Sequence, residues 1–202
     1  MAAWRRFVFL RHGRSLADDE GKHEGRYDSP LTEAGEGQAR DRSRRFDALG
    51  FGFDAIVSSP LRRALRTAEI VNEGRGLPLL VEATLAERDN GVLAGLDRAE
   101  AALLYPEPAE RSVFRRFPGP SGESAAMLQA RAALALNRLA ERPEAALLVV
   151  AHGGILNSLF RVVLGLGPQA DGEGVLFALG DGGFVVIDYD ETRRLWRFVR
   201  ME

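Results

Sequence analysis

The chain has 202 residues, and its 27 basic and 29 acidic side chains leave a formal net charge of −2. A hydrophobic content of 46% beside 28% charged residues fits a folded globular chain and excludes disordered or collagen-like classes. The near-balance of charge offers no global attraction to nucleic acid or to an anionic membrane. Cysteine is absent, which removes disulfide frameworks, thiolate metal sites and cysteine nucleophiles together.

The length predicts one domain over residues 1–202. Only four apolar residues, Phe7 to Leu10, follow the basic pair Arg5-Arg6, short of the ~7–15 that a signal peptide requires. The longest apolar run, Ala145 to Ala151, is far below the ~20 residues of a membrane span. A cytoplasmic protein is expected.

In chain order, Phe7-Val8-Phe9-Leu10 is a continuous apolar run ending at Arg11-His12-Gly13. Thr32, with Glu33 and Glu36 behind it, predicts the N-cap of a helix reaching about Leu49. A second run, Phe53 to Val57, ends at Ser58-Ser59-Pro60, and Ser59 and Pro60 read as cap and first residue of a helix through Leu61, Leu65, Ala68 and Val71. The segment from Gly91 to Gly122 carries Pro106, Pro108, Pro118 and Pro120 with two short helical patches, and is expected to form a lid. Met127, Leu128, Leu134 and Leu139 mark a helix over Glu123 to Glu141, stopped by Pro143. A third apolar run, Ala146 to Ala151, ends at His152-Gly153-Gly154 and is followed by a helix from Leu156 to Leu164. Finally, Phe184 to Ile187 and Leu195 to Val199 flank Asp190-Glu191-Thr192 as an edge hairpin. Unalternated apolar runs separated by helices predict a three-layer α/β/α sandwich on a mostly parallel sheet.

Open parallel sheets bind ligands beyond the carboxyl ends of their strands. Here those ends carry Arg11 and His12, then Ser58 and Ser59 with Arg62 and Arg63 behind them, then His152 and Gly153. Each is followed by a helix whose first turn presents free N–H groups. Cationic forks, imidazoles and helix N-termini converging on one edge describe an anion pocket suited to a phosphoryl group.

The motifs occur in a fixed order. Arg11-His12-Gly13 is followed by Asp28-Ser29-Pro30-Leu31-Thr32 with Gly35 and Gln38, then by Ser58-Ser59-Pro60-Leu61-Arg62-Arg63-Ala64 with Thr67-Ala68. Leu85-Ala86-Glu87-Arg88-Asp89-Asn90-Gly91, Gly122-Glu123-Ser124 with Arg131, and Ala151-His152-Gly153-Gly154 complete the set. This pattern resembles the histidine phosphatase superfamily, also called phosphoglycerate-mutase-like, from Phe7 to about Leu164. The resemblance implies that His12 is the nucleophile that becomes phosphorylated and that Arg11 and Arg63 bind phosphate, with Arg62 the variable neighbour. It implies that Glu87 is the proton donor and that His152 binds the phosphoryl oxygens beside Gly153. No cofactor or metal is implied, and the expected partner is a small phosphorylated metabolite.

The chain departs from the family pattern at several positions. Arg14 stands where Glu or Gln is frequent, Asp18 where Asn is frequent, and Glu24-Gly25 where a Gln-Gly pair is frequent. Asn157 replaces an arginine. Asp18 beside a phosphate would repel it and is expected to turn outward. Arg14, Gly25 and Arg115 are the candidates for substrate contact, with His23, Arg26 and Arg116 as further cations and Tyr105, Phe114 and Phe117 as apolar walls.

Other readings of these residues are open. Gly122-Glu123-Ser124 reads equally as the start of a helix, and Glu87 as an ion-pair partner of Arg88. A metallohydrolase is disfavoured, because no His-x-His or His-x-x-x-His spacing occurs and the strand-end arginines would repel a dication. A Walker loop is absent. A non-catalytic phosphate-binding protein is the alternative from another class, against which the proton donor Glu87 argues. Within the family, the 25 residues between Leu96 and Gly122 are a short lid, which favours a phosphatase over a cofactor-dependent mutase.

Overall fold

The structure is a computed structural model that describes residues 4–116, 121–170 and 172–202, so Phe117, Pro118 and Pro120 of the expected lid lie outside the described residues. Its strands are β1 (Trp4–Arg11), β2 (Ala55–Ser58), β3 (Leu79–Val81), β4 (Ala146–Ala151), β5 (Phe184–Asp190) and β6 (Leu195–Met201). They form one sheet in the order β3-β2-β4-β1-β5-β6. The first four are parallel, and β5 and β6 add an antiparallel hairpin beside β1. The helices are α1 (Leu16–Asp19), α2 (Glu33–Ala48), α3 (Arg62–Asn72), α4 (Arg98–Leu104), α5 (Ala125–Ala140) and α6 (Gly153–Val163).

The apolar runs are buried on both faces because helices cover both. Val8, Leu10, Ile56, Leu148 and Val150 pack with Phe46 of α2 and Ala64, Ala68 and Val71 of α3. Phe7, Phe9, Val57, Leu147 and Val149 pack with Leu128 and Leu136 of α5 and with Ile155, Leu159 and Phe160 of α6. Full burial of one such large side chain stabilises by about 1.5–3 kcal/mol, which fixes the strand register. In that register Arg11 lies beside Ala151 and Ser58 beside Val150. His12 and His152 therefore leave adjacent strands at the same level. The chain after β1 turns to the α2 face and the chain after β4 to the α6 face, which opens a crevice between them.

Two helix starts differ from the expectation, and two short elements were not foreseen. The helix after β2 begins at Arg62, not Pro60. Ser59 still bonds β4 through its N–H to the Val150 carbonyl at 2.9 Å, and the exposed helix N–H of Arg62 is capped from another loop by Asp28 Oδ1 at 2.7 Å. The helix after β4 begins at Gly153 rather than Leu156, with His152 as its N-cap. The short strand β3 and the single turn α1 were not expected. The first carries three residues on the sheet's edge, and the second is set by a Ser15–Asp18 capping box. In the lid region the described residues form a 3-10 turn (Gly91–Leu93) and α4. No helix among the described residues is long and apolar enough to cross a membrane.

Candidate active site

The turn after β1 is tight for a steric reason. A Cβ on Gly13 would strike the Gly35 carbonyl, and one on Gly35 would strike the Arg14 carbonyl, so the loop and the first turn of α2 can approach only as glycines. The N–H of Gly13 donates to Thr67 Oγ1 of α3 at 3.2 Å. This closure buries His12. Its Nδ1 lies 2.7 Å from the Gly13 carbonyl; a carbonyl only accepts, so Nδ1 carries the proton and Nε2 presents its lone pair. Burial, with Arg63 and then Arg11 adding repulsion, holds the His12 imidazole well below its usual pKa, although the bond to Gly13 works in the opposite sense. The side chain is a neutral imidazole fixed in one tautomer, the form that nucleophilic attack requires.

Arg63 is fully buried and locked by two carbonyls, Tyr27 at 2.9 Å and Gly25 at 2.8 Å. Its Nε is left facing the pocket, 3.2 Å from His12 Nε2. Gly25 thus enters the site through its carbonyl. Arg11 is anchored at its far end, by the Leu179 carbonyl at 2.7 Å and Asp181 at 3.0 Å. Its buried Nε has no hydrogen-bond partner.

The His152 ring centroid lies 4.9 Å from that of His12. Its Nε2 is 2.7 Å from Ser59 Oγ, while its Nδ1 is buried without a partner. Burial first, then His12, Arg63 and Arg11, hold this imidazole well below its usual pKa as well. Ser59 Oγ accepts the Leu61 N–H at 3.3 Å, and when it gives its own proton to Nε2 the ring carries Nδ1–H as a donor. Two buried donors without partners, on Arg11 and His152, flank the nucleophile. Leaving such donors unpaired costs about 1–3 kcal/mol each, and an anion bound between them removes that cost.

Glu87 sits across the N-terminus of α6. Its carboxylate accepts the N–H groups of Gly154 at 2.9 Å and Ile155 at 3.0 Å, and that of Arg88 at 2.7 Å. The two readings of Gly122-Glu123-Ser124 meet here. Ser124 caps α5, and Glu123 holds Arg131 through 2.9 and 2.7 Å contacts. Arg131 in turn grips the carbonyls of Thr84, Ala86 and Glu87. That clamp positions the Glu87 loop. The Arg131 guanidinium also overcomes the effect of burial and holds the Glu123 carboxyl below its usual range.

Arg11, His12, Arg63, Glu87, His152 and Gly153 are thus brought together. The other two selectivity candidates are not. Arg14 is bound to Asp19 and lies 4.0 Å from Asp181, and Arg115 lies 3.7 Å from Glu110 beside residues 107–112. Neither lines the clefts that flank the phosphoryl site, because nearer carboxylates engage them. One cleft, of about 520 Å³, runs past Arg11 and Gly153 to Arg161, Gln169 and Phe177. The other, of about 410 Å³, lies between His23-Glu24-Gly25 and Glu87, with Arg88 and Arg98 on its wall. Asn157, in place of an arginine, holds the first cleft's wall by bonding Phe177 through both its amide atoms. Asp18 is held in the α1 capping box by Ser15, whose hydroxyl also contacts Glu24.

Sequence reasoning missed three groups. Ser59 read as a helix cap, although its place at a strand end was the available signal. Asp181, the partner of Arg11, stands in no recognisable pattern. Glu24 read only as a departure, yet its Oε1 is 3.2 Å from Arg63 Nε.

Comparison with known proteins agrees with this geometry. The chain is 37% identical over 173 residues to a 2,3-bisphosphoglycerate-dependent phosphoglycerate mutase of Methylobacterium radiotolerans, covering 80% of each. It is 33% identical to PhoE, an uncharacterized phosphatase of Bacillus subtilis, over 79% of this chain and 78% of that one. Among solved structures, a mycobacterial glucosyl-3-phosphoglycerate phosphatase in complex with VO3 superposes with a TM-score of 0.77 at 27% identity, over 96% of this chain and 97% of that one. Residues 7–202 match the histidine phosphatase superfamily (branch 1), and the chain belongs to that family.

Proposed function

We propose that this chain is a metal-independent phosphatase that hydrolyses small phosphate monoesters through a phosphohistidine on His12. In the first step the Nε2 lone pair attacks phosphorus in line, the P–O ester bond breaks, and the departing oxygen takes a proton from Glu87, which enters this step as the neutral acid. In the second, Glu87 takes a proton from water as the water oxygen attacks phosphorus and the N–P bond breaks, which returns neutral imidazole and free phosphate. Arg11, Arg63 and His152 neutralise the equatorial oxygens, the main requirement of phosphoryl transfer. The observation that carries this reading is the pair of unpartnered buried donors, Arg11 Nε and His152 Nδ1, on either side of a nucleophile fixed in its reactive tautomer.

The cleft of about 520 Å³ beside Arg11 falls within the ~300–1,000 Å³ of small-molecule sites and is the place for the leaving group. Its mixed wall of Leu128, Phe177, Gln169 and Arg161 suits a polyhydroxy or carboxylated alcohol with an apolar face. The mutase names among the relatives support a second reading, in which His12 returns its phosphoryl group to the product instead of to water.

Incubation with 3-phosphoglycerate and with a panel of sugar phosphates separates the two. Free phosphate is expected from one or more esters, with labelled phosphate trapped on the protein after acid-free quenching. His12→Ala is expected to abolish both signals. Interconversion of phosphoglycerates without phosphate release would establish the mutase, and an active His12→Ala would overturn the phosphohistidine itself.

A further inference from the structure

The phosphoryl site of this chain contains a second carboxylate. Glu24 reaches into the pocket from the loop between α1 and α2, with Oε1 3.2 Å from Arg63 Nε and Oε2 3.9 Å from His12 Nε2. That position flanks the contact between His12 Nε2 and Arg63 Nε, which itself donates to the imidazole at 3.2 Å. A phosphoryl group attacked by His12 Nε2 has to sit against the same two nitrogens, beside the Glu24 carboxylate. Ionised Glu24 and a phosphoryl dianion are therefore mutually exclusive neighbours, and the carboxylate competes for the substrate's own counter-charge.

Hydrogen bonding around Glu24 shows where a proton can go. Ser15 Oγ lies 2.6 Å from Glu24 Oε1 and 3.1 Å from Asp18 Oδ2, and it accepts the Asp18 N–H at 3.2 Å. One hydroxyl proton cannot serve two carboxylates. A proton on Glu24 completes the chain, with Glu24 donating to Ser15 and Ser15 donating to Asp18. The groups facing Glu24 are Arg63 from α3, His12 from β1, Asp18 from α1 and Glu87 from the loop that contacts α6. Arg88 and Arg98 line the same cleft, and His23 precedes Glu24 on its own loop. Burial pushes the Glu24 carboxyl above the usual carboxylate range; Arg63 and the Ser15 hydroxyl oppose the rise, and Asp18 and Glu87 add to it. A bound dianion adds to it further.

We propose that Glu24 is a proton-operated gate at the phosphoryl site: ionised, it occupies the anion position beside Arg63 and His12, and an entering phosphoryl dianion is admitted with uptake of one proton by Glu24. The anion is taken to be the substrate's phosphoryl group, so the proposal rests on the phosphatase reading. A glutamine at this place would be neutral at every pH and would leave the site open.

The test uses tungstate, a phosphoryl mimic whose own charge is constant over the working range. For the wild-type chain, affinity is expected to fall by up to about tenfold for each pH unit above the pKa of the free site. Calorimetry in buffers of different ionisation enthalpy is expected to show close to one proton taken up on binding. Glu24→Gln is expected to bind tungstate about as tightly as the wild type at low pH, at least about tenfold more tightly near pH 8, and with little proton uptake. Parallel pH profiles for the two proteins would overturn the proposal, since the proton would then go to His152 or elsewhere. Absence of proton uptake by the wild type would overturn it without recourse to any variant. Phosphohistidine trapping reports separately on the phosphatase reading. A gate confirmed with tungstate on a chain that traps no phosphate would leave Glu24 in its role and remove the hydrolase.

Discussion

Ser59→Ala tests the tautomer of His152, on which the proposed binding of a phosphoryl group depends. In the wild type the serine hydroxyl is held by the Leu61 N–H and lies 2.7 Å from His152 Nε2. Its proton makes Nε2 the acceptor, so that Nδ1–H points its charge at the incoming anion. Alanine removes that bias and leaves Nε2 buried without a donor, a loss of about 1–2 kcal/mol for a neutral hydrogen bond in a buried site. If the loss is realised only when the phosphoryl group is bound, kcat/KM falls roughly five- to thirtyfold. The assay is steady-state hydrolysis of 4-nitrophenyl phosphate, with urea unfolding run in parallel to confirm that the variant is folded. Ser59→Thr keeps a hydroxyl at the same point and is expected to recover most of the activity. A Ser59→Ala enzyme within about twofold of the wild type, or a threonine variant no better than alanine, would refute the tautomer argument.

Two further outcomes follow from the same geometry. A Cβ on Gly154 would come within 2.5 Å of Glu87 Oε1, so Gly154→Ala is expected to fold while pushing the carboxylate off the α6 terminus. Its kcat should fall about tenfold or more for alkyl phosphates and less for nitrophenyl phosphate, whose leaving group needs little protonation; equal losses would argue against Glu87 as the acid. Stability should fall as pH drops below about 6.5, because His12 and His152 are held neutral in the folded chain and titrate normally once unfolded. The unfolded state then binds more protons, at a cost to stability approaching ~1.4 kcal/mol per pH unit for each histidine. Glu24, raised in the fold, works in the opposite direction but is one group against two. Urea midpoints between about pH 7.5 and 5 check the sign, and a midpoint that rose on acidification would contradict the burial of both imidazoles.

The elements most legible in the sequence were those whose signal is local. Phe7 to Leu10 and Ala146 to Ala151 could be read as doubly buried strands because each needs only its own apolar run, and Thr32 could be read as a cap because its partner, the Gly35 N–H, is three residues away. The start of α3 could not be read this way. Its capping acceptor is Asp28, far away in the chain, and the serine that looked like the cap was already committed to His152. The same reasoning explains why β3 escaped notice: three half-exposed residues after Pro78 carry no periodicity, and only pairing with β2 makes them a strand.

The site divides along the same line, with a consequence for how the proposed phosphatase would select its substrate. The groups proposed to meet the phosphoryl oxygens leave strand ends or helix first turns, so topology delivers them from short motifs and they were visible one by one. The groups that orient them are distant in sequence: Asp181 on Arg11, Ser59 on His152, Arg131 on the Glu87 loop. The clefts beyond are built by loops, chiefly residues 169–170 and 172–179 and the segment around Glu87 to Arg98. Arg14 illustrates the difference, since adjacency to His12 made it a selectivity candidate while Asp19 and Asp181 draw its guanidinium elsewhere. A common phosphoryl pocket and separate loop walls mean that exchanging residues 169–179 should alter KM among esters, whereas exchanging strand-end residues should alter turnover of them all. Selectivity and chemistry are carried by different parts of the chain because one needs the rigid carboxyl edge of the sheet and the other needs surface that can vary without disturbing it.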